Sequence, residues 1–149
     1  MESWLEVHYN RIVNDVALYA QTFSEGNLAA AGKAPFGTTA KKVDGGWLLD
    51  GRKIFASLSG AATHYGILCT EEKPESSSLD TMYIAVPTNS SGFSISGEWA
   101  PLGMTGTVCR NLIMKDVVVP VREQLMPKGP YHFDDRTIPP KYFTLPDTY

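Results

Sequence analysis

Between Thr38 and Pro120 short runs of β-branched and aromatic residues alternate with turn-forming clusters, and no helical period intervenes. Strands recurring at roughly 8–12-residue spacing with polar turns specify an antiparallel sandwich or barrel. TTAKKV alternates, Asp44-Gly45-Gly46 supplies a tight turn, and WLLDGRKIFAS resumes the pattern. Asp50-Gly51, inside that second run, marks either a further hairpin turn or a bulge. GILCT, TMYIAVP, FSIS and CRNLIMKDVVVP follow as strands. The alternation at Leu112, Met114, Val117 and Val119 is imperfect, which points to a bulge near Lys115-Asp116. EEKPESSSLD reads as a polar, mobile hairpin loop and TNSSG as a turn.

Before this region, residues 2–20 place Trp4, Leu5, Tyr9, Ile12, Val13, Val16, Ala17 and Ala20 at steps of mostly three and four, the pattern of an amphipathic helix. Its end is ambiguous, because VALYAQTF also reads as a strand. After Pro127 the segment PKGPYHFDDRTIPPKYFTLPDTY is rich in proline and aromatics. Pro130, Pro139, Pro140 and Pro146 forbid a long helix there, and Tyr131, Phe133, Tyr142, Phe143 and Tyr149 suit packing against another surface. The fold expected is therefore mainly β, with a short N-terminal helix and a proline-rich C-terminal tail. The expected divisions are 1–20, 21–126 and 127–149.

Composition narrows the function by exclusion. A chain of 149 residues with net charge −3 carries no basic stripe for nucleic acid or an anionic membrane. No apolar run approaches the ~20 residues that cross a bilayer. MESWLEVHYN lacks the form of a secretory signal, so a cytoplasmic location is expected. Cys69 and Cys109 each sit in a strand-like apolar run and read as buried free thiols. His8, His64 and His132 do not join them at metal-ligand spacing, so no metal is expected. Asn89-Ser90-Ser91 reads as a turn, and no phosphate loop, dinucleotide fingerprint or nucleophile elbow occurs.

Four collinear stretches remain: TFSEG at Thr22–Gly26, VDGGWLLDGRKIFASLSGAATHYGILCT, MYIAVPTNSSGFSI, and PLGMTGTVCRNLIMKDVVVP. Together they resemble the acyl-CoA dehydrogenase and oxidase family across roughly residues 18–149. The first is similar to that family's Thr-Glu-Pro stretch. The second is similar to its hairpin, in which an aromatic-x-hydroxyl triplet and small residues follow a lysine. The last is similar to its LGM signature ending in Asp-Val-x-Val-Pro.

The resemblance implies a middle, β-barrel domain flanked by helical domains, with FAD across one face and an acyl-CoA thioester stacked on the flavin. It also implies a homo-oligomer when full length. In the family a glutamate from the C-terminal domain removes the α-proton, and the β-hydrogen leaves as hydride to flavin N5. The chain then reads as truncated, with 1–20 a helical remnant and 127–149 leading toward a missing helical domain that carries the base. No catalytic residue is assigned within it. The cofactor-binding candidates are Thr22, Phe23, Ser24, Phe55, Ala56 and Ser57, and the substrate-binding candidates are Ala30 and Thr107.

Side-chain chemistry supports that assignment. A flavin offers flat apolar faces and a hydrogen-bonding edge, which an aromatic ring, a hydroxyl and nearby backbone N–H groups can hold. Phe55 and Ser57 provide ring and hydroxyl at i and i+2, one side of an ideal strand, and the small residues after them would leave the ring system room. The departures are also specific. Phe55 and Ser57 stand where the family usually has tryptophan and threonine, and Gly26 where it has proline. Ala30 stands in a run that normally contributes a serine, and Thr105 where many members have arginine. Arg110 and Lys33 read as surface charges, and Glu25 is not assigned as the base. Two further readings stay open: a flavin-dependent monooxygenase of the same fold, and a non-catalytic binding module.

Overall fold

The structure is a computed structural model, and it describes residues 4–27, 34–126 and 128. One helix, α1 (Trp4–Asn14), precedes eight strands. These are β1 (Tyr19–Thr22), β2 (Thr39–Val43), β3 (Gly46–Ala56), β4 (His64–Glu71), β5 (Thr81–Pro87), β6 (Phe93–Ser96), β7 (Arg110–Pro120) and β8 (Gln124–Met126). They form one sheet in the order β6-β7-β3-β2-β4-β5-β8, with β1 added beside β4. Most pairs are antiparallel, as expected, but β1 and β2 each run parallel to β4 over a few residues.

Alternation decides what the sheet encloses. Leu49, Tyr65, Ile67, Cys69, Ile84, Val86, Leu112, Val117 and Val119 point to one side and form a single buried cluster. Phe93 and Ile95 of the edge strand β6 pack on it, and Phe93 stacks on Tyr65 of β4 with ring centroids 6.0 Å apart. The sheet therefore curls over its own core. Asp44 and Gly45 make the β2–β3 turn, with Gly45 at φ 74°. The bulge read at Lys115-Asp116 is present: Leu49 faces Val117 but Gly51 faces Met114. Asp116 adopts φ 53° there, and its N–H donates to the Asp50 carboxylate at 3.0 Å.

Three expectations change. The N-terminal helix stops at Asn14, and VALYAQTF resolves into a turn and then β1. Asp15 and Ala17 N–H groups both donate to the Arg11 carbonyl (3.0 and 3.1 Å), with Val16 left-handed between them. The helix also sits the other way round from a hydrophobic docking helix. Leu5, Tyr9, Ile12 and Val13 are exposed, while Arg11 forms a bidentate ion pair with buried Glu123 (2.6 and 2.7 Å). His8 is buried and bonded to the Tyr19 hydroxyl at 2.9 Å. Finally, the loop before β5 contains a capped turn: Ser77 caps it, and Asp80 bonds back to Ser77 and pairs with Lys73. The proline-rich tail lies outside the described residues, apart from Lys128, which bonds Glu71.

Candidate functional site

The site candidates gather where three segments meet at the end of β3. β1 delivers Thr22 beside Ile67 of β4. The chain then crosses to β3, where the Ile54 N–H donates to the Ser24 carbonyl at 2.8 Å. That one bond sets Thr22–Ser24 next to Phe55. Phe23 packs against a small second cluster with Phe36, Leu68 and Tyr83. Thr22 is buried, and its hydroxyl has no hydrogen-bond partner among the described residues.

The expected i, i+2 geometry of Phe55 and Ser57 is not what the backbone provides. β3 ends at Ala56, and its pairing with β7 shifts between Lys53 and Ala56. Phe55 takes a left-handed φ of 55°, which turns its ring outward to 63% exposure. Ser57 falls in the turn beyond, where its hydroxyl contacts the Cys109 thiol at 3.1 Å. Ala56 is fully buried in the core and its carbonyl accepts from Ser59 Oγ at 2.7 Å, so little of it is offered to a ligand. The small residues after Phe55 also have a different use from the one expected. Residues 57–61 form a tight turn closed by the Ala61 and Ala62 N–H groups on the Leu58 carbonyl, and Ser59 and Ala62 pack inward.

A second loop, 104–109, lies against that turn. The Leu58 N–H donates to the Thr107 carbonyl (2.9 Å) and the Ser59 N–H to the Val108 carbonyl (3.1 Å). Thr107 is therefore beside Ser57 through Cys109, whose thiol donates to the Thr107 hydroxyl at 3.1 Å. The Thr107 hydroxyl in turn donates to the Met104 carbonyl at 2.8 Å, so its proton is already engaged. Phe55, Leu58, Met104 and Val108 all have positive φ. Four non-glycine residues in this region, at the end of β3 and in the two touching loops, are a concentration of backbone strain, a feature that clusters at binding and catalytic sites. Phe55, Leu58 and Met104 are exposed as well. Ala30 lies outside the described residues.

Sequence reasoning missed the electrostatic centre beneath this face. Glu25 accepts from the Lys53 ammonium at 2.6 Å, from the Thr38 hydroxyl, and from the N–H groups of Gly37 (2.6 Å) and Thr38 (3.0 Å). Lys53 is fully buried, with its ammonium 4.4 Å from the Phe36 ring centroid. Burial opposes the charge on Glu25, but the Lys53 charge and the Thr38 hydrogen bonds outweigh it and hold the carboxyl below its ordinary range. Burial lowers Lys53, and the Glu25 charge resists that. A carboxylate so fully engaged is not a general base. The signal was present in the sequence: Lys53 falls at the core-facing parity of β3, opposite Leu112.

A family model described as "Acyl-CoA dehydrogenase, middle domain" matches residues 24–117. The chain belongs to the acyl-CoA dehydrogenase family. The match takes in the Ser24–Ile54 junction, Phe55–Ser57 and the 104–109 loop. Cyclohexane-1-carbonyl-CoA dehydrogenase of Syntrophus aciditrophicus is 30% identical over 115 residues, 77% of this chain and 29% of that protein. L-evernosamine nitrososynthase of a Micromonospora species is 29% identical over 119 residues, covering 74% and 27%. The solved acyl-CoA dehydrogenase of Bacillus anthracis, complexed with FAD, aligns with TM-score 0.67 at 21% identity, over 82% of this chain and 20% of that one. The chain thus spans between 27% and 29% of the length of the curated relatives it matches. No described helix is long and apolar enough to cross a membrane.

Proposed function

We propose that this chain is the flavin-binding middle part of an oxidoreductase that takes acyl-CoA thioesters to their α,β-unsaturated products, with FAD held against the Phe55 face. The observation that carries this reading is the junction of Ser24 with Ile54, which brings the Thr22–Ser24 segment beside an outward aromatic ring on a strained, partly apolar surface. The residues fit a flavin chemically: the Phe55 ring suits a flat π-face, and Ser24 and Ser57 suit its polar edge, while the Thr22 hydroxyl is too deeply buried to reach it. Bound there, the flavin would supply the hydride acceptor. The chain's own residues would bind and orient it and keep water off one face. Thr107, with its proton committed to Met104, retains acceptor capacity toward a substrate N–H or O–H. Glu25 is spent on Lys53 and Thr38, which supports a reading in which the proton-abstracting base comes from another segment or a neighbouring subunit. A cytoplasmic homo-oligomer completing the site belongs to the same reading.

The comparable similarity to a dehydrogenase and to a nitrososynthase keeps a flavin-dependent oxygenation as the second reading. Titrating the chain with FAD and following quenching of flavin fluorescence tests what the two share. Phe55→Ala and Ser57→Ala should each weaken binding about three- to thirty-fold, the cost of a lost stacking or hydrogen-bond contact. Unchanged affinity in both variants, or no binding by the parent chain, favours the binding module instead. Anaerobic addition of acyl-CoA to the FAD-loaded chain should leave the flavin absorbance intact. Strong bleaching would sink the assignment of the base to another segment.

A further inference from the structure

Two cross-links join the stretch after β1 to the end of β3 at consecutive positions. Ser24 and Ile54 are joined through the backbone, and Glu25 and Lys53 through a buried ion pair with both side chains nearly or fully inaccessible. Glu25 also takes in the N–H groups of Gly37 and Thr38, where the chain enters β2. One carboxylate therefore ties together three separate segments, and its ion pair lies one residue along the chain from Ser24 and two from Phe55.

A buried ion pair is a poor device for stability alone. Its desolvation cost is comparable to its attraction, and well-packed apolar replacements are often neutral or better. Its geometry is strict, however, because misplacing either charge leaves it buried and unpaired. An apolar contact at this point would allow the 22–27 segment to slide along β3. A charged one allows a single register.

We infer that Glu25 and Lys53 are positioning residues for the flavin face, fixing Thr22–Ser24 in register with Phe55. The inference rests on the flavin reading for its purpose, but the register it sets is measurable without flavin. Phe55 follows Lys53 by two residues and has its ring turned outward by a left-handed backbone, so a slip at Lys53 moves the ring directly. Both side chains are closed to solvent, so the pair acts through the Ser24–Ile54 bond and not by direct contact.

Glu25→Gln retains one oxygen, which can still accept from Thr38 while its amide nitrogen replaces the oxygen that takes the Gly37 N–H, and Lys53→Met retains most of the buried stem. Amide hydrogen exchange on the parent, each single variant and the double variant reads the junction. Protection at Ile54 should fall at least about tenfold in each single variant, while amides of the β4–β5 pair keep theirs. The double variant should recover thermal stability relative to the Lys53→Met single variant, because it leaves no charge buried without its partner, yet leave Ile54 unprotected. Where the parent binds FAD, the double variant should bind at least about tenfold more weakly at that recovered stability. Unchanged Ile54 protection in the double variant overturns the inference, as does loss of protection spread evenly over the sheet. If the parent fails to bind FAD while the exchange pattern is as expected, the positioning role stands and the flavin reading falls.

Discussion

Val108 shows what the candidate face costs at the scale of one residue. A β-branched side chain at φ 44° crowds its own backbone, and such a position costs about 1–2 kcal/mol relative to glycine. Val108→Gly should therefore raise the thermal midpoint of the unliganded chain, or leave it level once glycine's greater unfolded entropy is included. It should also weaken FAD binding as the 104–109 loop loosens; calorimetry beside a flavin titration separates the two effects. A lower midpoint would show that the strain is not real. None of this was readable beforehand, because a left-handed valine leaves no mark in periodicity. The residue types at Phe55 and Ser57 were legible, whereas their expected placement on one strand side failed. The outward turn at Phe55 accompanies a register shift in which β3 carries one residue more than β7, a pairing between positions more than fifty residues apart.

At the scale of elements the sequence was informative wherever alternation and turn chemistry agreed. Strands β2 to β7 stand where their apolar alternation places them, and the bulge opposite Asp50 follows from a break in that alternation at Lys115-Asp116. Orientation was harder for α1, because periodicity gives a stripe but not the direction in which it faces. The Arg11–Glu123 pair and the His8–Tyr19 bond decide that direction, and the first joins residues 112 positions apart. The β2–β3 hairpin has little tolerance at its start. A Cβ on Gly46 would stand 2.1 Å from the Val119 carbonyl oxygen, which neither strand can relieve without moving backbone. Gly46→Ala should cost about 2–4 kcal/mol by separating β3 from β7, measured as a lower urea midpoint. A loss below about 0.5 kcal/mol would mean that the strands part there at little cost.

Across the whole molecule the buried charges set an acid limit. Burial would raise the Glu123 carboxyl, but the Arg11 hydrogen bonds and charge hold it below its reference value of 4.5. Its contribution is thus complete above that value and is lost as pH falls through the lower, folded one. Burial lowers both His8 and His64 from 6.5, so the folded state prefers them neutral and loses stability once pH drops below about 6.5. Stability should therefore decline in two stages on acidification, first from the histidines and then from the carboxylates. His8→Gln should remove part of the first stage and Glu123→Gln part of the second. Denaturant titrations between pH 7 and pH 3 read both, and a flat profile down to pH 5 in the parent would contradict the histidine stage.

The contact between Ser57 and Cys109 spans 52 positions, and Glu25 reaches Lys53 across 28. A growing or refolding chain closes the first only once β3 and β7 have met, and the second only once the stretch after β1 has met β3, because long loops must be closed before their contacts repay the entropy. The sheet can nucleate in its local hairpins, β2 with β3 and β4 with β5. The surface built on the Ser24, Phe55 and Thr107 segments is by the same logic among the last parts of the molecule to exist, and any ligand it takes meets a chain that has otherwise finished folding.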